Sequence, residues 1–212
     1  MLTSGSTVPV LYVHAVEREL GDLGPQLSPA STLALGVGKT AAAVRLSRRL
    51  AAGDVSLVVG VGVAGVARTG GLQVGDVCLV SSDRLADEGV ETPEGFMDLP
   101  ALELEASGPW RAHPEITARL AGDLGLRELP GRTVSTCSGT DSLARSRAGA
   151  SNEVETMEGA AIAMACAAFG VPWIALRAIS NYTGNRDAAA WDLARALGAL
   201  HPMVLRLHRA LA

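Results

Sequence analysis

Aromatic residues, cysteines and long apolar runs are all scarce in this chain, and each scarcity excludes something. Three Trp, two Tyr and two Phe among 212 residues make an aromatic share of 3%. The 48% apolar content therefore comes largely from Ala, Val and Leu, which with 24 Gly make a mix suited to tightly packed helices and parallel strands. Cys78, Cys137 and Cys166 are widely spaced and match no metal-ligand pattern. All three are expected to be buried, reduced thiols. The histidines at 14, 113, 201 and 208 show no ligand spacing either, so neither a metal nor an organic cofactor is expected. No apolar run reaches membrane-spanning length. The first residues lack a charged segment followed by a long hydrophobic one. The expectation is a cytoplasmic protein with no membrane partner. Net charge is −4 with no block of like charge, which argues against a nucleic-acid partner.

What the chain does have is alternation. Strand-like stretches at 8–13, 32–35, 56–60, 77–82, 133–137 and 173–180 are separated by helical patterns at 15–23, from Lys39 (KTAAAVRLSRRL), at 114–124, at 157–169 and at 187–211. Pro114 opens one helix and Gly125 stops it; Gly170 ends another; Pro202 predicts a bend in the last. SLVVG at 56–60 is continuously apolar, as expected of a strand covered on both faces. This order predicts a layered α/β domain spanning 1–212 around a mostly parallel sheet. Residues 84–110 show little periodicity and hold Pro93, Gly95, Pro100, Gly108 and Pro109, which predicts an irregular, functional loop.

Two glycine motifs mislead. GVGVAG at 60–65 fits the dinucleotide pattern, but the stretch after it, ARTGGLQVGD, is too short and too rich in glycine for a crossover helix. GVGKT at 36–40 has Leu33 where a phosphate loop requires its first glycine. Both are read as glycine turns, either plain or bringing backbone close to a small ligand. The most informative segment is 154–187, VETMEGAAIAMACAAFGVPWIALRAISNYTGNRD. It places Glu158 at the mouth of a small-residue helix, then runs an apolar strand into Ser180, Asn181, Thr183, Asn185, Arg186 and Asp187. Polar groups at the carboxyl end of a buried strand are where open α/β sheets bind ligands.

With these residues in view, the chain resembles the nucleosidase and nucleoside phosphorylase superfamily. HAVEREL, LGVGKTAAA, GVAG with LQVGDV, TMEGAAIA and LRAISN resemble its motifs in the same order along nearly the whole chain, least in 84–130. DEGVETPEGF (87–96) with RAISNYTGNRDAAAWD (177–192) is similar to the futalosine hydrolase family. The resemblance implies a three-layer α/β/α sandwich with a mixed, mostly parallel central sheet. It also implies a homo-oligomer (a dimer or larger) whose neighbouring subunits complete one another's pockets, with loop 84–110 as the place for that here. The implied activity is hydrolysis of futalosine to hypoxanthine and dehypoxanthinylfutalosine on a menaquinone route.

The resemblance also implies roles for particular residues. Glu19 holds and activates the attacking water; Glu17 is the nearest misassignment. Glu158 accepts hydrogen bonds from the ribose hydroxyls, an acceptor-only carboxylate being suited to two donors, although a helix-terminal Glu also answers the macrodipole. Met157 packs on the sugar, Val63 lines the base or sugar pocket, and Thr140 stacks on the base. Asn181 stands where adenine-cleaving relatives carry Asp, and its amide suits the O6 or N7 acceptors of a 6-oxopurine. Asp187 is a candidate to protonate the purine. Arg186, with Arg68 as the alternative, is a candidate for the substrate's benzoate. The rivals are a phosphorylase, for which Lys39 and Arg68 remain available, an adenine-specific nucleosidase, which Asn181 opposes, and a nucleoside-binding sensor without turnover.

Overall fold

The computed structural model describes residues 9–147, 152–185 and 191–212. Strand β1 (Val10–His14) runs into a short helix, α1 (Glu17–Leu20), continued by a 3-10 turn, and then strand β2 (Ser31–Ala34). Helix α2 (Lys39–Leu50) leads to the long strand β3 (Leu57–Val66) and to β4 (Val77–Leu85). A hairpin, β5 (Gly89–Thr92) and β6 (Gly95–Asp98), precedes the short β7 (Trp110–Arg111). Next come α3 (Pro114–Leu124), β8 (Arg127–Thr133), α4 (Asp141–Arg147) and β9 (Val154–Thr156). The remainder is α5 (Gly159–Phe169), β10 (Trp173–Tyr182) and α6 (Leu193–Leu211). Gly125 and Gly170 stop α3 and α5 at φ of 68° and 65°, left-handed positions that favour glycine.

The sheet is mixed. Parallel pairings (β1–β2, β1–β3, β3–β10, β4–β8, β8–β9) outnumber the antiparallel ones (β10–β4, β3–β9, β4–β7). Alternate strand residues feed two cores. Leu11, Val13, Val58 and Ala175 pack with Leu46 of α2 and Ile162 of α5 on one face. Tyr12, Val59, Ile174 and Leu176 pack with Leu120 of α3 and Leu200 of α6 on the other. The result is the three-layer α/β/α arrangement expected. In addition β3, β10, β4, β8 and β9 close into a ring, with β1 and β2 extending from β3.

Several expectations need correction. GVGVAG is not a turn but the body of β3. The strand foreseen at 133–137 ends at Thr133 and begins at Arg127. Its charged start and Pro130 hid it, and a register shift opposite, between Val80 and Ser82, accommodates that proline. Region 84–110 is partly ordered into the β5–β6 hairpin. Cys78 and Cys166 are buried, but Cys137 is exposed.

One interior carboxylate ties the sheet to α5. Asp83 of β4 is 1% exposed and accepts a 2.9 Å hydrogen bond from the Thr133 hydroxyl. Thr133 Oγ1 also accepts from the Ala160 N–H, and Thr156 Oγ1 from the Gly159 N–H, so two threonines cap the start of α5. Burial pushes the Asp83 carboxyl up to about 7, against the Thr133 hydrogen bond and the nearby Arg177 charge. The folded chain therefore keeps a proton that the unfolded chain releases near pH 3.8. Stability should fall as pH rises through that window, by up to about 4 kcal/mol once Asp83 is ionised. Asp83→Asn should remove this slope, so the variant gains on the wild type between pH 5 and pH 8 in thermal or denaturant unfolding. A difference that does not change with pH would contradict the assignment.

Candidate active site

The site forms at the carboxyl ends of β1, β3 and β10, where the two edges of β3 are used unequally. β10 follows one edge from Val58 to Val66. On the other edge β1 pairs only as far as Gly60, and β9 joins only at Gly65. The gap between them is filled by a side chain. Glu19, 7% exposed, accepts from Val63 N–H through Oε1 at 3.2 Å. Its Oε2 accepts from Ala15 and Val16 N–H at 2.8 and 3.2 Å. A glutamate in the first helical turn reaching back to the preceding backbone is a familiar capping geometry, and here it also fixes the carboxylate against the sheet. Glu17, two residues earlier, is exposed.

The glycines of β3 make room for polar side chains. A Cβ on Gly62 would stand 2.8 Å from Glu19 Oε1 and 3.0 Å from a terminal nitrogen of Arg177. A Cβ on Gly60 would stand 3.7 Å from the other terminal nitrogen of Arg177, and one on Gly65 3.1 Å from Asn181 Nδ2. Arg177 is 4% exposed, and its Nε–H has no hydrogen-bond partner among the described residues. Sequence reasoning passed over it. The available signal was a lone arginine inside the apolar strand WIALRAIS, because unpaired charge is almost never fully buried.

Glu158 sits immediately before α5, and its Oε1 accepts from Gly38 N–H at 2.7 Å. Gly38 has φ of 93°, so the GVGKT turn presents its backbone to this carboxylate. Burial pushes the Glu158 carboxyl up; the Gly38 N–H and the Arg177 charge oppose that, while the charge of Glu19 adds to it. Arg177 thus lies beside Glu19 over Gly62, and its charge acts on Glu158.

At the end of β10 the register with β3 slips between Ile179 and Asn181, a bulge that re-aims the side chain. Ser180 Oγ donates to Asn181 Oδ1 at 2.9 Å, and Asn181 Nδ2 donates to Tyr182 O at 3.2 Å. A carbonyl only accepts, so the contact with Tyr182 fixes which end of the amide is NH2. One N–H of Nδ2 is left to point elsewhere.

Glu19, Val63, Met157, Glu158 and Asn181 all line a single cavity of about 830 Å³, a volume suited to a small organic ligand. Thr140 does not line it. Its side chain accepts from Leu143 N–H and bonds Ser142 Oγ, capping α4, and this corrects the stacking role expected of it. Asn185 does line the cavity, and its backbone N–H and side-chain amide also hold Asp141. Arg186 and Asp187 lie outside the described residues. Arg68 stands 4.5 Å above the Tyr182 ring. Among the described residues no group of histidine, cysteine and carboxylate side chains is arranged to hold a metal ion.

Comparison with known proteins shows the family. Residues 7–208 match the phosphorylase superfamily. The chain is 40% identical to a futalosine hydrolase of Thermus thermophilus over 82% of this chain and 79% of that one. It is 36% identical to a futalosine hydrolase of Acidothermus cellulolyticus over 81% and 72%. A methylthioadenosine/S-adenosylhomocysteine nucleosidase of Colwellia psychrerythraea, solved with adenine, superposes with a TM-score of 0.82 over 97% and 96% of the two chains at 22% identity, a likeness of fold.

Proposed function

The chain belongs to the phosphorylase superfamily and, within it, to the futalosine hydrolases, and from that premise we propose how its residues cleave the substrate. The activity is hydrolysis of the N-glycosidic bond of futalosine. Glu19 takes a proton from a water that attacks the anomeric carbon, while the bonding electrons leave with the purine. Positive charge builds on the ribosyl ring in that step, and the carboxylates of Glu19 and Glu158 favour it over the neutral ground state. Glu158 accepts from the ribose 2′- and 3′-hydroxyls, Met157 packs on the sugar, and Val63 borders it. The Arg177 charge opposes part of the rise that burial imposes on the Glu158 carboxyl. Asn181 donates to O6 or N7 of the departing base, which then takes its proton from solvent or another group.

The observation that carries this reading is the convergence of Glu19, Glu158 and Asn181, far apart in the chain, on one cavity. The products are then hypoxanthine and dehypoxanthinylfutalosine, on a menaquinone route in the cytoplasm. A homo-oligomer is part of the same proposal. Val90, Phe96 and Met97 on the β5–β6 hairpin and Val44 on α2 are exposed, apolar surface that a second subunit would cover. Loop 84–110 contributes no residue to its own cavity and is the segment proposed to reach a neighbour's.

Incubation with futalosine, inosine and methylthioadenosine, with and without phosphate, tests the reading. Base release from futalosine alone, independent of phosphate, is the expected result. Phosphate-dependent cleavage of inosine would replace hydrolysis by phosphorolysis.

A further inference from the structure

Resting on the futalosine reading, we infer that Arg18 is the cation that receives the substrate's benzoate and sets selectivity for this acidic tail. The direction of the tail follows from the order of groups along the cavity. In this reading the base lies by Asn181, which stands at Gly65, and the ribose hydroxyls lie by Glu158, which is bonded to Gly38. The base and the 5′ carbon leave a ribose ring from opposite ends, so the tail runs away from Asn181. Ala15, Val16, Arg18 and Val37 line the cavity, and Ala15 and Val16 are bonded to Glu19, which stands at Gly62, three residues before Gly65 on β3. Gly38, bonded to Glu158, places Val37 next to the sugar, and Val37 is 57% exposed. A bare apolar side chain there gives the benzoyl ring a platform, with Arg18 beyond it.

Among the described residues, the other cations in or near the cavity are elsewhere or engaged. Arg68 lies over Tyr182, beside Asn181. Arg132 pairs with Glu155 at 3.3 Å and donates to Arg147 O. Arg145 follows Asp141 by one turn on α4, a neighbouring carboxylate that disfavours a second one there. Lys39, next to Gly38, is paired with Asp87 and Glu88 at 2.7 and 2.9 Å. Arg18 forms no ion pair among the described residues. Its backbone is nonetheless pinned, since His201 Nε2 lies 3.2 Å from Arg18 O and Glu19 fixes the same helical turn. A planar guanidinium presented from a fixed turn is suited to bidentate pairing with a benzoate.

The test compares wild type, Arg18→Gln and Arg45→Gln on futalosine and on its neutral benzamide counterpart. Arg45 is the control, because its guanidinium lies against Gly36 without lining the cavity. Arg18→Gln should raise KM for futalosine about tenfold to a hundredfold with kcat little changed. The benzamide should cost the wild type a similar factor, and Arg18→Gln should add no further loss on it. An unchanged KM in Arg18→Gln, equal losses on both substrates, or the loss appearing in Arg45→Gln instead would overturn the inference. A wild type that leaves futalosine intact overturns the parent reading, and this inference with it.

Discussion

Glu19→Gln should lower kcat for futalosine by about 10²–10⁴, the usual worth of a positioned general base, while substrate still binds. The variant keeps the size of the side chain and loses the proton acceptor. It also disturbs the local bonding, because Glu19 is held wholly by backbone donors: Ala15, Val16 and Val63 N–H. A carboxylate accepts from all three, whereas a carboxamide must turn its NH2 toward one of these sites, donor against donor. Some loss of stability is therefore expected, and an unfolding curve measured beside the kinetics separates it from lost chemistry. With the variant folded at the assay temperature, near wild-type turnover would remove Glu19 from the mechanism. Glu17→Gln should change little, since Glu17 is exposed.

How much of the fold and site is legible in the sequence differs by residue. The alternation of apolar runs with helical spacing carries the layered α/β fold, because each strand and helix buries its own face and announces it locally. The closure of β3, β10, β4, β8 and β9 does not show, because pairing between distant strands leaves no periodic trace. Short β9 escapes for the same reason: three residues are too few for a pattern. At the site, Glu158 and Asn181 are legible as polar groups at element ends. The glycines of β3 are visible but mislead, since spacing alone does not distinguish a glycine that turns the chain from one that leaves room for another side chain. Gly60 and Gly62 leave room for Arg177, and the meaning of each lies in the other. Thr140 misleads because a hydroxyl near a pocket-lining loop can equally cap the helix after it, and α4 gives no strong sequence signal.

Base selectivity should turn over at Asn181. In Asn181→Asp the Ser180 hydroxyl still has an acceptor, but the N–H left over from Tyr182 is gone, and a carboxylate oxygen stands where it pointed. Against hypoxanthine this oxygen faces the O6 or N7 acceptor, and an unpaired or repelled buried group costs about 1–3 kcal/mol. Against adenine the same oxygen accepts from the 6-amino group. Cleavage of futalosine should fall about tenfold to a hundredfold, cleavage of its 6-amino counterpart should rise, and the ratio between them should move by more than either alone. Measuring kcat/KM for both substrates in both proteins closes the cycle. A variant that stays active with its preference for the 6-oxo base unchanged would mean that Asn181 only shapes the end of β10. Selectivity would then rest with the other groups at that end of the cavity, Thr183 and Arg68 among them.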